Sequence, residues 1–362
     1  MRTRIWFAVA TLALLLIATA SRDLLAQKKP ILSSSKARTD AIHRAHVWMA
    51  TDIPSMNLKA GPQGHGAFKP GETVTCTYVK KEMTGNTPKF TCAIKPDDEV
   101  KVKFGQENGE VYAEVAATRL FWALGFPVDH MYPVTVICEK CPADPSHHNG
   151  APAAAPVVFD SAAIERKFKG HVIETKPGQG WAWPELGSVN EAEGGAPRAQ
   201  LEGLELLAVF VQHSDSKPEQ QRLVCVDEKG VEGAPCQHPV MMINDLGQTF
   251  GRSNMFNRAP LSSVNLKQWS EARLFKDDSK ACVGALPESQ TGTLDHPVIH
   301  EAGRKFLADL LMQLTDAQLH DLFEVARFPE RTGAASPAAT ADAWVAVFKV
   351  KRAEIVNRSC PS

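Results

Sequence analysis

The sequence predicts an α+β protein in two lobes, a small antiparallel β lobe with one helix and then a larger, mostly helical lobe. Three observations carry this. Between Glu72 and Phe104, three short runs alternate in polarity or are rich in β-branched residues, with turn residues between them. One mostly apolar helical stretch follows, with Val111, Val115, Leu120 and Leu124 along it. Beyond about residue 198 the chain reads as helical runs broken only by two short strand-like runs. A length of 362 residues is enough for two such lobes.

Taken in order, the first four residues, MRTR, form a basic head, and Ile5 to Ala20 is apolar and uncharged. Ala18-Thr19-Ala20 fits a small-x-small cleavage site. Residues 1–20 therefore read as a secretory signal peptide, with an uncleaved signal anchor as the alternative. The stretch is shorter than the roughly 20 apolar residues of a spanning helix. Export to a periplasmic or extracellular space is expected, with no other membrane span. Residues 21–67 read as a polar lead-in with one helical stretch near TDAIHRAHVWMA.

Residues 68–175 form the expected small lobe. ETVTCTYV, KFTCAI and EVKVKF predict a three-stranded antiparallel meander. The helix GEVYAEVAATRLFWAL stops at Gly125. MYPVTVIC is a fourth strand, PADPSHHNGAPAAAP a low-complexity loop, and VVFD a fifth strand. Residues 176–362 form the expected helical lobe. A Gly-, Pro- and Trp-rich connection leads to the helix RAQLEGLELLAVFVQ. The strands RLVCV and VMMIN follow, then a long helical run from His296 and a last helix over TADAWVAVFKVKRAEIV.

The formal net charge of −1 and 22% charged residues give no basic excess, so no nucleic-acid partner is expected. Eight cysteines, an even number, suit disulfides in an oxidising compartment. Cys76 with Cys92, and Cys225 with Cys236, flank hairpin-like turns and make natural pairs. Cys138, Cys141, Cys282 and Cys360 remain. Cys138-x-x-Cys141 followed by His147-His148 also admits a zinc reading, although the spacing is cramped.

The chemistry concentrates in His213-Ser214-Asp215-Ser216-Lys217-Pro218-Glu219-Gln220, between a helix and a strand. It resembles the protein-kinase catalytic loop H-R-D-L-K-P-E-N. Asp245-Leu246-Gly247, after the short hairpin, resembles the kinase D-F-G. Upstream, Lys103 sits in the third strand and Glu114 opens the stretch EVAATRLFWALGFP. That stretch is similar to E-x-x-x-x-R-L-A-x-x-L-G-L-P of the HipA-type and phosphatidylinositol-kinase-like branch. The turn MTGNTPKF is similar to that branch's G-x-x-P-K-F phosphate turn. The resemblance covers about Glu72 to Gly251 and implies a bilobal protein-kinase-like fold.

It also implies roles. Phosphoryl transfer needs positioning and charge neutralisation around metal-bound phosphates more than covalent help. Lys103, held by Glu114, would contact the phosphates of ATP, with the backbone of Thr84, Gly85, Asn86 and Thr87 cradling them. Asp245 and Gln220 would bind magnesium, or manganese. Asp215, with Lys217 beside it, would orient an acceptor hydroxyl, and His213 would brace the loop through hydrogen bonds. Lys101 and Glu110 are rivals for the ion pair, and Asn244 is a candidate helper. The chain departs from the pattern at Gln220, where kinases carry Asn, and in lacking G-x-G-x-x-G and A-P-E motifs. ATP is also scarce outside the cytoplasm. The expected function is ATP- and Mg-dependent phosphorylation of an unidentified hydroxyl. A catalytically silent nucleotide- or protein-binding module is the alternative, and nucleotidyl transfer a third. His296 and His300, spaced i,i+4 at a helix start, read as capping or surface residues, and Trp181 and Trp183 as packing.

Overall fold

The computed structural model of the chain describes residues 32–83, 85, 87–227, 235–251, 263–276, 281–286, 292–331 and 340–362. The signal-peptide reading of residues 1–20 lies outside them, as do Thr84 and Asn86. Helices and strands are mixed along the chain around a closed five-stranded sheet. No helix among the described residues is long and apolar enough to cross a membrane.

The first helix, α1 (Ser35–His43), is capped by the Ser34 hydroxyl, which accepts from the backbone N–H of Ala37. The segment after it is not loose: Ala45, Val47, Ile53 and Leu58 are buried in the larger apolar core. The sheet comprises β1 (Glu72–Val79), β2 (Lys89–Lys95), β3 (Asp98–Phe104), β4 (His130–Glu139) and β7 (Val157–Arg166). Its order is β1-β2-β3-β7-β4, closed by β4 pairing with β1. The meander β1-β2-β3 is antiparallel as its short turns require. The closing β1–β4 ladder is parallel, so the sheet is mixed, where an antiparallel one is expected. A parallel partner needs a crossover, and α2 (Gly109–Ala123) lies between these strands in sequence.

The fifth strand runs on past Asp160 to Arg166 and inserts between β3 and β4. Its second half alternates: Ala162 and Ile164 enter the barrel with Phe90, Val102 and Val134, while Ala163 joins the core outside. Between β4 and β7 a small hairpin, β5 (Pro142–Asp144) with β6 (Asn149–Pro152), forms within the loop expected there. β8 (His171–Val172) then joins β9 (Gln221–Cys225) and β10 (Pro239–Ile243) in an antiparallel sheet.

The remaining elements are α3 (Arg198–Phe210), α4 (Leu266–Glu271), the short pair β11 (Cys282–Val283) and β12 (Val298–Ile299), α5 (Glu301–Leu311), α6 (Asp316–Val325) and α7 (Ala341–Asn357). The helical run expected from His296 is thus two helices. Thr315 starts the second with a capping box closed by Gln318. His296 lies before β12 and His300 is the N-cap position of α5, held by Glu202 at 2.7 Å. Trp181 and Trp183 are buried and packed edge to face at 5.2 Å, as packing residues are.

All eight cysteines pair, as Cys76–Cys92, Cys138–Cys141, Cys225–Cys236 and Cys282–Cys360. The zinc reading of the CxxC fails. Both sulfurs are bonded to each other, His147 is held by Asp144, and His148 bonds the Tyr78 hydroxyl at 2.5 Å.

On α3, Glu205 is only partly exposed, and burial next to Glu202 raises its pKa to about 7, against the pull of Arg198. A raised carboxyl pKa means that the folded chain holds the proton more tightly than the unfolded one. Stability should therefore be fullest below about pH 4.5 and decline as the pH rises to about 7. Glu205→Gln is expected to flatten this decline and stabilise the protein at pH 8 by roughly 1–2 kcal/mol. Urea unfolding at pH 5, 6, 7 and 8 checks it; parallel curves for the two proteins would rule it out.

Candidate functional site

The face of the sheet turned towards α2 carries charge. Lys101 and Lys103 share it by the two-residue period of β3. Across the ladders, Lys89 stands opposite Lys103, and Glu165 opposite Lys101. α2 is buried nearly all round, Glu110 and Glu114 included. Those two carboxylates lie one turn apart on one side of the helix. Lys103 Nζ meets both, donating to Glu114 Oε1 at 2.8 Å and to Glu110 Oε2 at 3.0 Å, and lies 3.4 Å from Asp245 Oδ1. The two glutamates thus share one lysine. Lys101 pairs instead with Glu165.

Asp215 and Asp245 come from segments tied together by backbone. Gln220 O accepts from the N–H groups of Asn244 and Asp245, at 2.9 and 3.3 Å. Ser214 N donates to Gln248 O at 3.2 Å. The turn Pro218–Gln220 packs so closely on Gly180, at φ +60°, that a side chain there would strike Pro218 O. On this loop Lys217 Nζ lies 3.0 Å from Asp215 Oδ1, and Gln220 Nε2 donates to Asp215 Oδ2 at 3.1 Å. Gln220 therefore presents its amide nitrogen to Asp215, which turns the amide oxygen away from it.

The electrostatics follow from the shortage of cations. Burial opposes the charge on Lys103, but Asp245, Glu110 and Glu114 outweigh it and raise its pKa. Burial also opposes ionisation of Asp245, yet Lys103 and Lys101 hold its carboxylate far below the ordinary range. Glu114 goes the other way: burial pushes it well up, Lys103 opposing and the neighbouring Asp245 adding to the rise. Asp215 is raised by burial and by the charges of Asp245 and Glu110, with Lys217 opposing.

His213 does not brace the loop by side-chain hydrogen bonds. Its ring is buried, and neither ring nitrogen has a hydrogen-bond partner among the described residues. It packs 6.2 Å from the Trp183 ring, and burial lowers its pKa to about 4, so it is a neutral packing group at pH 7. Asn244 is held by Lys167, which donates to its Oδ1 at 3.0 Å.

Of the expected phosphate turn, Gly85 and Thr87 are described. Gly85 has φ +86°, and a Cβ there would lie 3.0 Å from Lys89 Nζ. Lys89 is the residue that the sequence reading passed over. Half-buried, its pKa is lowered by burial and by Lys103, with Asp245 and Glu110 opposing. The signal was present: Lys89 is the lysine of the TPKF turn, one β ladder away from Lys103.

A divalent cation fits this donor set. Glu114 Oε2 is buried with no hydrogen-bond donor among the described residues. Carboxylate and amide oxygens are the ligands that Mg²⁺ and Mn²⁺ take. Asp245, with 23% of its side chain exposed, and Gln220 are the residues open to such an ion.

No family model matches the chain, and no curated protein matches it. Among solved structures it is similar to the crystal structure of a Helicobacter pylori proinflammatory kinase, CtkA. The identity is 12% and the TM-score 0.39, over 80% of this chain and 95% of that one. A likeness that distant leaves the functional reading to the site's own geometry.

Proposed function

We propose that this chain is an exported, bilobal kinase-like phosphotransferase of the HipA or lipid-kinase type that uses ATP and Mg²⁺, or Mn²⁺, on a hydroxyl acceptor. Residues 68–175 would be its nucleotide-binding lobe and residues 176–362 its catalytic lobe. One observation carries the reading: a buried lysine, Lys103, bound to two helix carboxylates and facing Asp245, next to a loop that presents Asp215 with Lys217. Four disulfides agree with an oxidising compartment.

In this reading Lys103 and Lys89 hold the phosphates, with Gly85 and Thr87 in the turn beside them. Asp245 and Gln220 hold the metal, which when bound would neutralise the phosphate oxygens. Asp215 takes up the hydroxyl proton as the acceptor oxygen bonds to the γ-phosphorus and the bond to the β-phosphate oxygen breaks, leaving ADP. Its raised pKa suits it to accept that proton. Gln220 favours a second reading, a silent nucleotide-binding module, because its amide nitrogen is engaged by Asp215.

Thermal unfolding with ATP and Mg²⁺ or Mn²⁺, for wild type beside Asp245→Ala, tests the site. At about 100 times its dissociation constant, nucleotide should stabilise wild type by roughly 2.7 kcal/mol, metal-dependently, and leave the variant unmoved. No shift with either metal would end the nucleotide reading. A shift without ADP release in the presence of acceptors would select the silent module.

A further inference from the structure

One end of the barrel opens into a recess of about 580 Å³, between the β5–β6 hairpin and the link from β3 to α2. That is the size of small-molecule sites, about 300–1,000 Å³. Phe104 and Phe159 line it, their ring centroids 4.6 Å apart and their planes at 59°. Gln106, Glu107, Asp144 and His147 bring polar groups to it.

The chemistry of the lining narrows the ligand. No lysine or arginine is among the described residues that line the recess, so it holds no permanent cation for an anion. Its two carboxylates already have polar neighbours. Asp144 accepts from His147 Nδ1 at 2.7 Å and from the His147 backbone at 3.2 Å, and Glu107 faces the charge of Arg331. What remains is a neutral ligand with apolar faces for the phenyl rings and an edge of hydroxyls for carboxylate, amide and imidazole. A sugar ring has that form.

The recess is also built and placed. The Cys138–Cys141 disulfide lies at the base of the hairpin, and Ser146 Oγ on its turn accepts from the backbone N–H of Lys89 at 3.1 Å. Phe104 adjoins Lys103, and the α2 N-cap, Asn108, comes two residues before Glu110. The same strand ends thus carry the recess on one side and the charged cluster on the other.

We propose that this recess binds a saccharide. Calorimetric titration of the disulfide-bonded protein with maltotriose, chitotriose and xylotriose tests the binding directly, with MgATP-induced thermal shifts measured on the same preparation. At least one trisaccharide should bind saturably. Phe159→Ala should weaken it roughly tenfold. Gln106→Ala, an exposed change that keeps the fold, should weaken it several-fold with an unchanged thermal midpoint. Failure of all three sugars to bind, or undiminished binding in both variants, overturns the proposal even if MgATP shifts the protein. Sugar binding without any MgATP shift would still support the saccharide site, which does not rest on the phosphotransferase reading.

Discussion

Lys103→Met will destabilise the protein by about 3–5 kcal/mol at pH 7, the range for breaking a buried ion pair by removing one partner. Methionine nearly conserves the volume, so the loss is electrostatic rather than a cavity effect. Lys103 is 1% exposed and touches three carboxyl groups, and its removal leaves Glu114 and Asp245 facing each other without it. The pH dependence identifies the cause. In wild type the depressed pKa of Asp245 gives stability that is present above about pH 4 and fades only as the pH falls towards the folded value. Without the lysine, those carboxyls bind protons more tightly when folded, so the variant loses stability as the pH rises. The gap between the two proteins should widen from pH 4 to pH 7. Adding Glu114→Gln to Lys103→Met should recover part of the loss, a coupling that a double-mutant cycle reads out. Urea unfolding that gives the same gap at pH 4 and pH 7 would mean that the lysine is held by packing alone.

Replacing both Cys282 and Cys360 by serine will cost the most of the four disulfides. They are 78 residues apart, against 16, 11 and 3 for the other pairs. In the chain-entropy description a loop of that length is worth about 4.5 kcal/mol, and the shortest well under half of that. Native contacts add to it: Glu301 accepts from Cys360 N at 2.9 Å and donates its own N–H to Pro361 O at 2.8 Å, fastening the C-terminus to the start of α5. Chemical unfolding of Cys282→Ser/Cys360→Ser beside Cys138→Ser/Cys141→Ser measures the difference. Equal losses would show that loop entropy does not set the ranking.

Both predictions concern contacts of different legibility. The strands of the meander, α2 and the hairpin disulfides Cys76–Cys92 and Cys225–Cys236 could be read because they depend on near neighbours: a two-residue period, an apolar helical stretch, a turn between two cysteines. Asp215, Lys217 and Gln220 share one loop, so their meeting is local. Cys282–Cys360, in contrast, depends on where α5, α6 and α7 bring the tail, and no spacing announces it. His213 looked like a polar brace by its place in the loop, but burial beside Trp183 makes it a packing group.

By itself, then, the sequence determined the meander strands, α2, α3 and the β9–β10 pair, and which residue types gather in the loop after α3, because period and turn chemistry act over a few residues. Only the tertiary structure decided that β7 enters between β3 and β4 and that β4 closes the sheet in parallel. It alone decided that Glu110 and Glu114 share Lys103, and that Lys89 stands opposite Lys103 across the ladder. The physical reason is the same in each case. Strand order and the choice of ion-pair partners follow from the twist and burial of the closed sheet against α2. These are set by contacts between residues far apart in the chain, which local periodicity does not record.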